Sequence, residues 1–252
     1  MQFIINGDDF GLSEEVNQAV ADCFALGLID RTTLLVNMPL SEAARELAAS
    51  RGFFGRVGLH INLVEGRPLT VRCQENPVLC DENGLFAGRF HRGLAGRLFL
   101  DRETRAAIRE EAQAQIQRYL DWGFPLRHAD SHQYVHTYPS AARELLPLLR
   151  RYGFRSVRLS RNLPGNDLSL PFAAYKKLFN RLLAIRGLAG SRWFGSLEDW
   201  LNSPRRDRPG SCELMVHPVY RDGVLYDDTL PHPKPFFTAA FLEERGICHG
   251  LP

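Results

Sequence analysis

Short apolar runs alternate with longer amphipathic stretches along the chain, and this alternation constrains the fold more than any single motif. Strand-like runs lie near residues 2–6, 33–37, 57–63, 126–131, 155–160 and 212–217, and helical patterns lie near 13–27, 41–50, 102–121, 140–152 and 172–186. Strands that alternate with helices build a mostly parallel sheet whose faces are covered by the helices. The sequence therefore predicts an α/β fold with mostly parallel strands.

The length of the chain fits a single large domain. It has 252 residues, of which 44% are apolar, and an α/β barrel routinely reaches this size undivided. Residues 66–100, which are rich in Gly, Arg and Pro, break the rhythm of strands and helices, and residues 187–211 are similarly irregular. We predict one domain over residues 1–252, with an irregular insertion at about 66–100.

Charge and cysteine content exclude several classes of protein. The 31 basic and 29 acidic residues leave a formal net charge of +2, without the basic excess typical of a nucleic-acid binder. The basic run of Arg205, Arg206 and Arg208 is interpreted as a solvated loop. Five cysteines without a CxxC pair argue against a disulfide framework and against a cysteine-built zinc site. Because neither a membrane-spanning run nor a secretory signal is visible, we expect a cytoplasmic protein.

Two adjacent carboxylates, Asp8 and Asp9, follow the first predicted strand. They lie between this strand and a helical pattern that opens near Ser13. Adjacent carboxylates repel each other, so a cation beside them relieves the repulsion. Alternatively, one of the two caps the helix and the other is solvated.

The segment HADSHQYVH, residues 128–136, holds three of the eight histidines of the chain. His128, Asp130, His132 and His136 all occupy even positions, so a strand would project them from one face. A helix would also align the three histidines. Either geometry concentrates nitrogen and oxygen ligands in one place, whereas the alternative is a polar surface turn.

Two further histidines accompany predicted strands. His60 shares one face of its alternating run with glycine and asparagine, and His217 follows an apolar run that Pro218 ends. A hydrogen-bonded core histidine and a turn residue are the alternatives for these two positions. Since the carboxyl ends of parallel strands share one face of a sheet, all of these polar segments are predicted to converge there.

Asp9, His60 and His132 offer one oxygen and two nitrogen ligands for a cation. This set suits Zn, Fe, Co or Mn, and it leaves positions open for water and substrate. A metal in such a site makes its bound water acidic and polarises a carbonyl group. The sequence therefore predicts a metal-dependent hydrolase.

Side chains for proton transfer are also available. Asp8 is the candidate base that accepts a proton from water. The candidate acid that protonates a leaving amine is His217 or His136.

Three segments together resemble a known family: NGDDFGLS at 6–13, VGLHINLVEGRPL at 57–69 and HADSHQYVHTYP at 128–139, with weaker support from SVRLSRN at 156–162 and MVHP at 215–218. They are similar to the YdjC-like carbohydrate deacetylases, which include the chitooligosaccharide deacetylases. The resemblance implies a distorted, TIM-like (β/α) barrel that removes N-acetyl groups from an amino sugar or oligosaccharide. It also implies a divalent metal, usually magnesium, and a homodimer.

The same resemblance assigns roles to individual residues. The metal ligands fall on Asp9, His60 and His132, the base on Asp8, and the proton donor on His217.

Two positions depart from the family pattern. Tyr134 stands where the family commonly has histidine, and HPVY at 217–220 stands where it often has HPG. Neither change removes a predicted metal ligand. Other divalent-metal hydrolases, such as a phosphoesterase or a cyclic-amide hydrolase, and a non-catalytic sugar-binding barrel are the alternative functions.

Overall fold

The structure is a computed structural model that describes residues 1–163, 170–203, 209–228, 234–244 and 246–247. Its strands are β1 (Gln2–Phe10), β2 (Arg31–Leu34), β3 (Val57–Ile61), β4 (His128–Ser131), β5 (Ser156–Val157), β6 (Trp193–Ser196), β7 (Ser211–Val216), β8 (Pro218–Arg221), β9 (Val224–Asp227) and β10 (Lys234–Pro235). Its helices are α1 (Glu14–Ala25), α2 (Ser41–Ser50), α3 (Val71–Gln74), α4 (Arg89–Arg92), α5 (Leu94–Leu98), α6 (Arg102–Asp121), α7 (Pro139–Arg151), α8 (Leu170–Ile185), α9 (Leu197–Leu201) and α10 (Ala239–Glu244). The predicted basic loop at 205–208 lies outside the described residues.

Seven strands form one parallel sheet in the order β5-β4-β3-β2-β1-β7-β6. The sheet curls until its two edges approach each other. The N–H groups of Asn162 and Leu163, just after β5, donate to the carbonyl oxygen of Phe194 in β6 at 3.1 and 3.3 Å. The architecture is a distorted α/β barrel in a single domain, which confirms the predicted fold class.

Strand β1 is an interior strand of the sheet, between β2 and β7, and its first half is apolar on both faces. Phe3, Ile4 and Ile5 are buried, and β1 pairs with β2 on one side and β7 on the other. Strands covered on both faces of a parallel sheet have such continuous apolar runs. This burial fixes where β1 ends, and therefore where the polar residues that follow emerge.

The predicted helical stretches all overlap observed helices, and side-chain capping explains where two of them begin. The hydroxyl of Ser13 accepts a hydrogen bond from the N–H of Val16 at the start of α1. Asp101 caps α6 in the same way by accepting from the N–H of Thr104. Helix α6 ends just before Gly123, whose φ of 84° suits the left-handed turn that follows many helices.

Two details of the sequence analysis were wrong. The run at 155–160 contributes only Ser156–Val157 to the sheet. Conversely, the region 187–211 that we interpreted as irregular contains β6, which pairs with β7 along Trp193–Ser196. Four residues are too few to show a strand periodicity, so this strand depends on its partner in the sheet.

The stretch at 66–100 is not extended loop throughout, because it contains α3, α4 and α5. The carboxylate of Glu111 in α6 ties its start to the barrel by accepting from the backbone N–H groups of Leu69 and Thr70. Strands β8, β9 and β10 form a separate antiparallel sheet. None of the helices in the described residues is long and apolar enough to cross a membrane.

Candidate metal centre and active site

The end of β1 places two neighbouring carboxylates in one cavity. Successive side chains of a regular strand point to opposite faces. Asp9 departs from this geometry, because its φ of 65° lies in the left-handed region that few non-glycine residues adopt. As a result both Asp8 and Asp9 line a cavity of about 860 Å³, together with His60, His132 and His217. The predicted convergence of these polar segments is therefore observed.

Asp9 lies between the two histidines that were predicted as its fellow ligands. Its Oδ1 atom is 2.8 Å from Nδ1 of His132 and 3.2 Å from Nε2 of His60. Each of the three residues offers one ligand atom, and these atoms lie within 4.8 Å of one another. His60 comes from β3 and His132 follows β4, so the cluster joins the ends of three strands of the sheet.

Electrostatics favour the charged forms of all three side chains when no cation is present. Burial disfavours ionisation of Asp9, but the charges and hydrogen bonds of the two histidines outweigh it and hold the pKa of Asp9 well below its usual range. Burial also lowers the pKa of His60, yet the carboxylates of Asp130 and Asp9 raise it to about 10. In His132, Asp9 likewise overcomes burial and raises the pKa to about 9.

A second carboxylate orients each of the two histidines from the other side of its ring. Nδ1 of His60 lies 2.6 Å from Oδ1 of Asp130, and the hydroxyl of Thr33 donates to the other oxygen of Asp130 at 3.0 Å. Nε2 of His132 lies 3.3 Å from Oε2 of Glu65. Both rings thus turn one nitrogen toward an outer carboxylate and the other toward Asp9. Such carboxylate–histidine pairs are typical of metal-ligating histidines.

The fully buried guanidinium of Arg158 connects Asp8, the predicted base, to Asp130, the carboxylate behind His60. Arg158 donates to both oxygens of Asp8, at 2.5 and 2.6 Å, and to one oxygen of Asp130, at 2.7 Å. Its Nε also donates to Glu213 at 2.6 Å. Burial disfavours the charged guanidinium, but these three carboxylates raise the pKa of Arg158 well above its usual value. A second arginine, Arg31, lies 2.6 Å from Glu213.

The remaining histidines of the 128–136 segment have structural surroundings. His136 is fully buried, and its two nitrogens contact the hydroxyl of Ser131 at 2.5 Å and the carbonyl oxygen of Arg158 at 3.0 Å. Burial lowers the pKa of His136 to about 4 and that of His128 to about 3, so both rings are neutral. The cluster is therefore split, because His132 enters the cavity whereas His128 and His136 support the wall behind it.

His217, unlike His128 and His136, lines the cavity itself. It follows β7, its side chain is 25% exposed, and its Nε2 lies 3.9 Å from Oδ2 of Asp8. Its backbone N–H donates to Asp227 at 2.8 Å. Tyr138 and Arg97 also line the cavity, with the guanidinium 5.0 Å from the centre of the tyrosine ring.

The residues around Asp9 fit a divalent cation. They supply an anionic oxygen and two imidazole nitrogens, which is a donor set common to catalytic metal sites with open positions. The two histidines are already aimed by outer carboxylates, and a cation would take the place of the protons that they hold in its absence. Burial of the cluster further strengthens its attraction for a cation.

Comparison with known proteins identifies the family of the chain. Residues 2–241 match the model of the YdjC-like protein family. The chain belongs to the YdjC-like family. A carbohydrate deacetylase of Geobacillus stearothermophilus is 36% identical over 223 residues, which cover 87% of this chain and 80% of that protein.

Other YdjC-like relatives span most of the chain. A carbohydrate deacetylase of Vibrio cholerae is 37% identical, covering 89% of this chain and 81% of its own length. A chitooligosaccharide deacetylase of Serratia marcescens is 31% identical, covering 98% and 96%. A crystal structure from Enterococcus faecalis, named only provisionally as a cellobiose-phosphate cleavage protein, aligns with a TM-score of 0.67 at 23% identity, covering 88% of this chain and 82% of that one. This last likeness supports the fold alone.

The sequence analysis missed the partners that hold the YdjC-like site in place. Asp130 was grouped with the neighbouring histidines, but its role behind His60 depends on a contact across 70 positions of sequence. Arg158 carried a signal that was not used, because a single arginine between Val157 and Leu159 is unusual in a buried run. Such a residue calls for buried carboxylates around it, and three are present.

Proposed function

We propose that this chain is a metal-dependent carbohydrate deacetylase, which hydrolyses the N-acetyl group of an amino sugar or oligosaccharide. The observation that carries the proposal is the position of Asp9 Oδ1, 2.8 Å from His132 and 3.2 Å from His60, in the cavity that also contains Asp8 and His217. The names of the relatives support the same activity.

The metal ligands in this proposal are Asp9, His60 and His132. A divalent cation held there would polarise the amide carbonyl group and make a water molecule acidic enough to attack it near neutral pH. The resemblance to the family favours magnesium, while the two imidazole ligands also suit zinc or another transition metal. The outer carboxylates Asp130 and Glu65 keep the two rings in the orientation that ligation requires.

Asp8 is the proposed base. A carboxylate has about four lone-pair directions, and three in Asp8 are occupied by two nitrogens of Arg158 and by the side-chain amide of Asn6. The direction that is left belongs to Oδ2, the oxygen nearer to His217. Asp8 is thereby fixed in one orientation, with one site able to accept a proton from the attacking water.

His217 is the proposed acid, in preference to His136. His217 lines the cavity with Asp8, whereas the ring of His136 is fully buried with a partner at each nitrogen. In the proposed reaction a water oxygen bonds to the acetyl carbon, and the carbon–nitrogen bond breaks. Asp8 receives the proton of the water, and His217 supplies a proton to the departing amine. The products are acetate and a free amino sugar.

The cavity has room for at least one sugar unit, since drug-sized ligands occupy pockets of about 300–1,000 Å³. The aromatic ring of Tyr138 supplies an apolar surface within it. We also propose a homodimer, from the resemblance to the family, and a cytoplasmic location. The four cysteines in the described part of the chain, Cys23, Cys73, Cys80 and Cys212, are buried and free, which supports a reducing compartment. The domain is proposed to include the whole chain, with the helical stretch at 66–100 as its insertion.

The decisive measurement is acetate release from a panel of N-acetylated glycans, with the purified protein loaded with magnesium, manganese or zinc and with a chelator as control. We expect release that the chelator abolishes and metal restores. Asp8→Asn should reduce turnover by about 100-fold or more, because the base is lost, while metal binding is retained. Asp121→Asn, which makes the same change on the exposed surface of α6, is the matched control and should behave as the parent.

Three outcomes would contradict the proposal. Hydrolysis of phosphoesters or cyclic amides without any acetate release would favour a different metallohydrolase. Retention of parental turnover in Asp8→Asn would remove Asp8 from the mechanism. Binding of glycans without turnover under every metal would instead support the sugar-binding alternative.

A further inference from the structure

Three large apolar side chains lie exposed on residues 89–99, a segment that also contributes Arg92 and Arg97 to the wall of the cavity. Leu94 is 71% exposed, Leu98 is 40% exposed and Phe99 is 78% exposed. They follow one another on α5 and the residue directly after it. Single exposed apolar side chains are common, but three large ones within six residues are typical of a surface that contacts something other than water.

The inner face of this segment is attached to the barrel. The exposed side chains are therefore not core residues that have failed to pack. The hydroxyl of Ser140 in α7 donates to the carbonyl oxygen of Gly96 at 2.8 Å, and Phe90 is 3% exposed. An added Cβ at Gly96 would lie 2.3 Å from the carbonyl oxygen of Phe90, which shows how closely α4 and α5 approach. The outward direction of Leu94 and Phe99 is therefore built into the fold.

Basic residues accompany these apolar ones. Residues 89–99 contain Arg89, Arg92 and Arg97 and no acidic residue. Arg92 is exposed, and both Arg92 and Arg97 line the cavity that contains the proposed metal ligands. Apolar side chains interleaved with arginines are typical of segments that lie in the interface of an anionic bilayer.

We propose that residues 89–99 form a membrane-docking surface, which rests on an anionic lipid bilayer with Leu94, Leu98 and Phe99 inserted among the acyl chains. The exposed side chains of Arg89 and Arg92 then face the lipid phosphates. Since Arg92 and Arg97 also line the cavity, docking would hold its entrance against the bilayer surface. This surface is independent of the reaction that the cavity performs.

A second copy of the chain fits this surface less well. In a twofold dimer the same patch meets itself, so the arginines of one copy would face those of the other. Between residues 89 and 99 no carboxylate is available to compensate them. An anionic bilayer supplies the complementary charge, and a homodimer can form through another face.

Vesicle co-sedimentation of the full chain tests the proposal. We expect binding to vesicles of phosphatidylcholine with phosphatidylglycerol, weaker binding to phosphatidylcholine alone, and a loss of binding as salt screens the arginines. Leu94→Ser combined with Phe99→Ser should lower the partition coefficient at least about tenfold, because each side chain gains apolar contact with the bilayer. Ile185→Ser on α8, at the same 71% exposure as Leu94, is the matched control and should bind as the parent.

Three further measurements separate this surface from the active site and from a dimer interface. The Leu94→Ser, Phe99→Ser variant should retain its melting temperature and its turnover of a water-soluble N-acetylated oligosaccharide. Light scattering should give the same mass for this variant and the parent. Failure of the parent to bind anionic vesicles would overturn the proposal, as would equal binding by the double variant. A parent dimer that the double variant dissociates would show that the patch is a self-interface.

Discussion

Metal binding to the Asp9 cluster should release about two protons at neutral pH. A cation needs neutral imidazole nitrogens, but in its absence the pKa of His60 is about 10 and that of His132 is about 9, so both rings are protonated at pH 7. Asp9 contributes no proton, since its pKa is held well below the usual range. Raised histidine pKa values therefore weaken apparent metal binding below pH 9, and binding strengthens as the pH rises.

The size of this effect follows from the number of displaced protons. Each contributes about 1.36 kcal/mol per pH unit, so two protons give roughly 2.7 kcal/mol, or about 100-fold in apparent affinity, per pH unit. Titration calorimetry in two buffers of different ionisation enthalpy measures the protons directly. The dissociation constants at pH 6.5 and 8.5 provide the slope.

The variant Asp130→Asn identifies the source of one proton. It removes the anion 2.6 Å from His60 Nδ1, so the pKa of His60 should fall and proton release should decrease toward one. Because an outer carboxylate contributes about 10–100-fold to metal affinity, Asp130→Asn should bind the cation more weakly than the parent. This difference in affinity should be greatest at high pH and should decrease as the pH falls. Asp121→Asn is again the control. Proton release near zero in the parent, or an unchanged slope in Asp130→Asn, would refute the reasoning.

Three further substitutions test the frame around the site. Arg158→Met should lower the free energy of unfolding by about 3–5 kcal/mol, because three buried carboxylates lose their common partner. Urea titration measures this loss. Arg155→Met, at an exposed arginine, is the control and should change the free energy of unfolding little. Tyr119→Phe should cost about 1–3 kcal/mol in the same assay, since it removes the single hydroxyl proton that two nearby backbone carbonyl oxygens share. Gly58→Ala places a Cβ 3.0 Å from a carbonyl oxygen of β4, so its melting temperature and its metal affinity should both fall.

The sequence predicted the fold class well because the strands of a parallel sheet are continuous apolar runs with helices between them. It also placed Asp9, His60 and His132 together, since all three follow or end such runs. Strand β6 escaped detection because Trp193–Ser196 is too short to display a period, and its structure comes from pairing with β7. Local sequence contains no information about a partner in another strand.

The different surroundings of His132 and His136 could likewise not be predicted from the local sequence. His132 and His136 are equivalent in spacing, and both belonged to the predicted site, yet the chain turns between them. Gln133 and Tyr134 have φ values of 50° and 59°, so the chain beyond Ser131 continues neither strand β4 nor the regular helix that the periodicity allows. This turn leaves His132 in the cavity and buries His136. Two consecutive left-handed residues without glycine leave no signal that a periodicity argument detects.

The backbone at Asp9 limits how this site can be redesigned. Among side chains other than glycine, aspartate, asparagine and histidine adopt its left-handed conformation most readily, whereas a β-branched residue there is a genuine outlier. An engineer who wishes to change the preferred ion can therefore try Asp9→His, which would create an all-nitrogen set with a residue that adopts this backbone conformation more readily than most. Valine, isoleucine and threonine are poor choices at this position, even for a variant meant only to be inactive.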